Sequence, residues 1–199
     1  MTAVLRGELH RLATIRSGRV SVLVLTGLGL FLGAFDEASW ALLVGLSTFA
    51  LSVVGTSQHF QHRTVVLLYL GQPHRLRALA GQALAYALTA LTVAALSGVV
   101  VVAGAADTYL ATLVAVPVMA AFGVANATVV RRPTWLFLGW AGWLVFVEGL
   151  VGRLRAPLPF SAFLDGTAGE RAGLLVLAGW TALALVVAGL TAGRDVTGE

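Results

Sequence analysis

No charge falls within three long windows of this sequence, Ala78 to Ala106, Thr108 to Val130 and Ala172 to Gly193. Each is longer than the ~20 residues a helix needs to cross the hydrocarbon of a bilayer. A large soluble protein can hide such helices under a polar shell. Here only 11% of the 199 residues are charged and 58% are hydrophobic, whereas a soluble domain carries roughly 25% charged residues. With no polar mass to cover the windows, lipid must cover them. The chain reads as an all-α polytopic membrane protein, a single transmembrane domain over residues 1–199.

Charged residues punctuate six spans near 18–35, 40–58, 78–105, 109–130, 134–151 and 172–193. The Val20 to Phe35 run follows basic residues, as a secretory leader would. The long patterned segment ahead of it and the poor cleavage site near Phe35 favour a retained first helix. The connections alternate in charge. Arg6, Arg11, Arg16, Arg19, Arg63, Arg75, Arg77, Arg131, Arg132 and Arg194 fall on one side. Arg153, Arg155 and Arg171 fall on the other, with Asp36, Glu37, Asp107, Asp165 and Glu170. Short cytoplasmic loops collect basic residues, so both termini, the 59–77 loop and the 131–133 turn are expected in the cytoplasm. All thirteen basic residues are arginine, a bias that suggests a GC-rich bacterial genome and hence a bacterial inner membrane. The pI near 10.6 then reflects orientation rather than nucleic-acid binding, which is not expected. The absence of cysteine excludes disulfides, thiolate metal sites and cysteine nucleophiles.

Three segments do not span. In residues 1–17, Leu5, Leu9 and Leu12 recur at helical spacing while Arg6, His10, Arg11 and Arg16 lie elsewhere around the helix. That pattern suits an amphipathic helix in the headgroup plane, arginines toward anionic lipid; the other reading is a solvated basic tail. Residues 59–77 hold the apolar run Val65 to Leu70, punctuated by Gly71 and Pro73. They read as a short helix, a break and a new helix start, and an apolar helix in a loop needs lipid or a partner to cover it. The outer loop 152–171 carries Leu158, Phe160, Phe163 and Leu164 among prolines. It reads either as half-helices dipping into the membrane, allowed where protein buries their backbone, or as an interfacial loop.

Catalytic chemistry is sparse. No glycine-rich loop with a following lysine is present to cradle ATP, and Gly27, Gly29 and Gly33 sit inside a span where close helix packing explains them. His59 and His62 have metal-ligand spacing but no third ligand nearby, so no metal is expected. Serines and threonines in the spans lack an adjacent base, and no catalytic residue is assigned. Trp40, Trp135 and Trp180 suit interface belts or helix packing and carry no functional signal by themselves. Asn126 and Glu148 are the candidates for a substrate pathway. For Asn126 the competing reading is hydrogen bonding between helices. Glu148 is the one ionisable residue inside a span, where charge often marks transport. It lies ~24 Å along its helix from Arg132, so pairing with Arg153 or Arg155 near the outer boundary is the competing account.

A basic amphipathic first helix, six spans, a cytoplasmic helix between spans two and three, and an apolar outer loop before span six resemble the membrane subunits of type-2 ABC exporters. These are the permeases of drug, lipid and polysaccharide export. The most specific stretch is HRTVVLLYLGQPHRLRALAGQAL, His62 to Leu84. It is similar to the family's Arg-Thr, paired-leucine helix, proline and arginine before span three, matched here by Thr64, Leu67, Leu68, Pro73 and Arg75. Where members often carry an acid before the Arg-Thr, this chain has Phe60, Gln61 and His62, and it is short for the family.

The resemblance implies that residues 59–74 form a coupling helix docking on a separate ATP-binding cassette ATPase. Contacts would come from His62, Arg63, Thr64, Leu67, Leu68, Pro73 and Arg75. ATP and Mg would be bound by that partner, with no cofactor on this chain and no enzymatic activity of its own. Two permease chains, identical or different, would enclose the pathway. An apolar, charge-poor set of spans suits amphiphilic cargo. The alternative is a non-transporting assembly, sensor or immunity subunit on the same scaffold. An ATP-independent transporter would need buried ionisable residues that the spans nearly lack.

Overall fold

The computed structural model describes residues 2–62, 64 and 74–192, and its regular structure is helical, with no strand among the described residues. Helix α1 (Thr2–Thr14) is followed by α2 (Arg16–Gly33), α3 (Glu37–Gln61), α4 (Arg75–Ser97), α5 (Val99–Val102) and α6 (Ala106–Val130). Then come α7 (Pro133–Gly142), which continues as a π-helix over Trp143–Val151, α8 (Pro159–Thr167) and α9 (Arg171–Ala192). Among the described residues, five stretches are long and apolar enough to cross a bilayer, and six if the bent α1–α2 pair is one crossing. A backbone without water must satisfy itself internally, which is why even the β-branched run Val99–Val102 is helical.

The ends obey local chemistry. Asp36 caps α3, its Oδ2 accepting from Ser39 N at 2.7 Å, and hydrogen bonds from the Ser39 side chain and then its backbone hold its carboxyl below the ordinary carboxylate range. Pro133 and Pro159 open α7 and α8, where a missing N–H costs nothing. Arg131 ends α6 in a left-handed conformation (φ 59°), its N–H returning to Ala127 O. The span expected over 78–105 is interrupted at Gly98, which lies against the rings of Trp40 and Tyr109.

Helix α6 is the hub. Small residues on it, Ala115, Ala120, Gly123 and Ala127, are buried and let α3, α4 and α9 approach closely. Phe49, Met119, Phe122, Phe160, Phe163 and Leu177 form the largest core. Of the glycines in α2, Gly29 packs on Ser97 and Gly33 on Val101, while Gly27 touches nothing. The outer surface is apolar: Leu23, Phe146, Val151 and Leu190 are each more than 60% exposed, as residues facing hydrocarbon must be.

Candidate functional site

Two buried polar clusters stand out in this apolar bundle, one at the arginine-rich end and one at mid-depth. The first joins α1, α3 and α4. Glu8, on α1, is buried, and its Oε2 accepts from Arg11 Nη2 at 2.9 Å, Arg11 Nε at 3.2 Å and Tyr86 OH at 3.0 Å. Its Oε1 faces His59 Nε2. An ionised carboxylate can only accept, so Nε2 carries a hydrogen. Arg11 reaches on to Gln58 Oε1 at 2.8 Å and Gly55 O at 3.1 Å. His59 Nδ1 lies 3.1 Å from Thr64 Oγ1, which ties the cluster to the start of the 59–77 segment.

Burial pushes the Glu8 carboxyl up, but the hydrogen bond and charge of His59, the Arg11 guanidinium and the Tyr86 hydroxyl outweigh it and hold it below its ordinary value. Gly55 makes the junction possible. A Cβ there would lie 2.0 Å from the Tyr86 hydroxyl oxygen, so only glycine leaves room for the ring.

Helical rise locates the cluster. From Glu37 to Gly55, α3 advances about 27 Å at ~1.5 Å per residue, close to the ~30 Å of a hydrocarbon core. The cluster therefore lies about one crossing length from the start of α3, at its last turns. Helix α1 meets α2 at 79°. Arg11 differs from expectation: it turns inward to Glu8 rather than outward to lipid. The overlooked signal was Glu8 itself, which lies three residues after Leu5 and four before Leu12. An acid within an apolar stripe needs a buried partner.

The second cluster surrounds Glu148. The carboxylate is fully buried and meets the first turn of α8. Oε2 accepts from Ser161 N at 2.6 Å and Ser161 Oγ at 2.7 Å, and Oε1 from Phe160 N at 3.2 Å and Trp143 Nε1 at 3.1 Å. These amides are among the orphan donors of a helix N-terminus, where the peptide dipoles also favour an anion. The π-helix delivers the carboxylate: winding with i→i+5 bonds stacks residues five apart, setting Trp143 beside Glu148. Its partners are thus Trp143 and the first-turn donors of α8, not Arg153 or Arg155. The chain then turns sharply through Arg153 (φ 49°) and Leu154 (φ 55°), with Leu154 N donating to Glu148 O at 2.7 Å.

Helix α8 begins deep. Phe160 packs edge-on to Phe49, centroids 5.5 Å apart, and Phe49 lies about 18 Å along α3 from Glu37 at ~1.5 Å per residue. Trp180 Nε1 donates to Pro157 O at 3.1 Å. Within the 152–171 loop the structure has one short helix, α8, packed against the bundle core.

Of the other expected site residues, His62 is exposed at the end of α3 and Thr64 meets His59. Arg75 opens α4. Arg63, Leu67, Leu68 and Pro73 lie outside the described residues. Asn126 Nδ2 donates to Phe122 O of its own helix at 2.8 Å. It is not part of either cluster. No family model matches the chain, and no curated protein or solved structure matches it.

Proposed function

We propose that the chain is the permease subunit of an ATP-driven exporter of the type-2 ABC class, placed in a bacterial inner membrane with both termini cytoplasmic. The observation that carries this reading is the clamp of α1 on the ends of α3 and α4. Glu8, Arg11, His59 and Tyr86 bind together the two helices that flank the 63–73 segment. A partner ATPase, itself binding ATP and Mg, docks on that segment. A push delivered there reaches α1, α3 and α4 as one body, which is what a coupling element requires. A second permease chain completes the pathway.

The test is co-expression with a candidate ATP-binding cassette subunit, sought first among the genes that adjoin this one. Leu67→Asp combined with Leu68→Asp is expected to abolish co-purification and stimulation of ATP hydrolysis, with the permease still present in membranes. Retained stimulation rejects the coupling role. A complex that forms normally but exports nothing from proteoliposomes identifies the chain instead as a non-transporting subunit.

A further inference from the structure

A pocket of about 530 Å³ opens at the corner between α1, α2 and α4. Leu9 and Leu12, the apolar stripe of α1, form one wall; Val22, Leu23 and Leu88 form much of the rest, and Arg19 is the charged residue on it. Its two hydroxyls, on Thr89 and Thr92, already donate to Ala85 O and Leu88 O. The walls offer water almost nothing to bind, so apolar surface that enters the pocket is favoured over water. An occupant must therefore be hydrocarbon over most of its length.

It must also carry negative charge at one end. Arg19 is exposed and forms no ion pair among the described residues. It stands one turn into α2, beside α1, at the depth where headgroups lie. Hydrocarbon joined to an anion at headgroup level describes one molecule of the surrounding bilayer. We propose that the pocket binds one acyl chain of an anionic phospholipid whose phosphate rests on Arg19, so that lipid fills the α1–α2 corner. The site is separate from the coupling role and stands without it.

Native mass spectrometry of the detergent-purified chain, titrated with phosphatidylglycerol or phosphatidylcholine of matched chains, tests the proposal. Phosphatidylglycerol is expected to bind more tightly. Arg19→Gln should weaken it about fivefold, the factor one basic residue near an anionic surface supplies, and leave phosphatidylcholine unchanged. Leu88→Trp, which fills the pocket, should weaken both lipids. Arg132→Gln, at the same end but away from the pocket, should alter neither, and excess inorganic phosphate should displace nothing. The proposal is overturned by equal binding of the two lipids, by displacement with phosphate, by a comparable loss in Arg132→Gln, or by normal phosphatidylglycerol binding in either pocket variant. Arg19 and Leu88 are both exposed, and a circular dichroism spectrum at wild-type helicity verifies that each variant is folded.

Discussion

Glu148 is surrounded by donors: two backbone amides, a hydroxyl and an indole N–H converge on its two oxygens. Each buried donor left without an acceptor costs about 1–3 kcal/mol. Glu148→Leu should therefore lower the thermal midpoint in detergent sharply, and Glu148→Gln, which keeps one acceptor oxygen, much less. Equal midpoints for Glu148→Leu and the unaltered chain would dismiss this account of the carboxylate. At the other cluster, Gly55→Ala drives a methyl into Tyr86, and Tyr86→Phe removes the hydroxyl shared by Glu8 and Arg11. Because both changes act on that hydroxyl, the double variant should lose less stability than the sum of the single losses; strict additivity would show that the two sites act independently. The sequence marks Glu148 by its isolation but not its partners, since i→i+5 winding and two left-handed residues are needed to aim it at α8. Of the partners of Glu8, Arg11 lies at local helical spacing, but His59 and Tyr86 lie 51 and 78 residues away, beyond any local pattern.

Among the elements, the crossing helices were the most legible, because a charge in hydrocarbon is costly enough to fix span ends within a few residues. The span expected over 40–58, for example, is α3 over Glu37–Gln61. The corner at Ile15 and the π-helix were less legible, because tertiary packing sets them. Helix α1 depends on Glu8 for its hold on the bundle, and this has a pH consequence. The Glu8 carboxyl is held below its ordinary value of 4.5, so its stabilisation is fully present above that value. It fades as pH falls through the lower folded value. A fluorophore at Thr2→Cys should report α1 docked at neutral pH and released only below about pH 4.5. Glu8→Gln should leave α1 looser at neutral pH, with little further change on acidification. Acid release that persists unchanged in Glu8→Gln would assign it to another group.

At the scale of the whole molecule, the apolar exterior and the arginine asymmetry make orientation measurable, and the lack of cysteine simplifies the measurement. Thr14 and Ala106 are exposed at opposite ends of the bundle. In intact cells a membrane-impermeant maleimide should label Ala106→Cys and spare Thr14→Cys until the membrane is permeabilised. The reverse pattern would invert the orientation, and labelling of both in intact cells would break the six-crossing arrangement. Order of synthesis matters too. The donors that neutralise Glu148 lie 12 and 13 residues further along the chain, on a nine-residue helix too short to cross by itself. Until they are made, Glu148 has only the Trp143 indole of its four donors. The stretch from Pro133 to Thr167 is therefore one energetic unit, and a chain released by the ribosome after Val151 would leave its carboxylate three hydrogen bonds short.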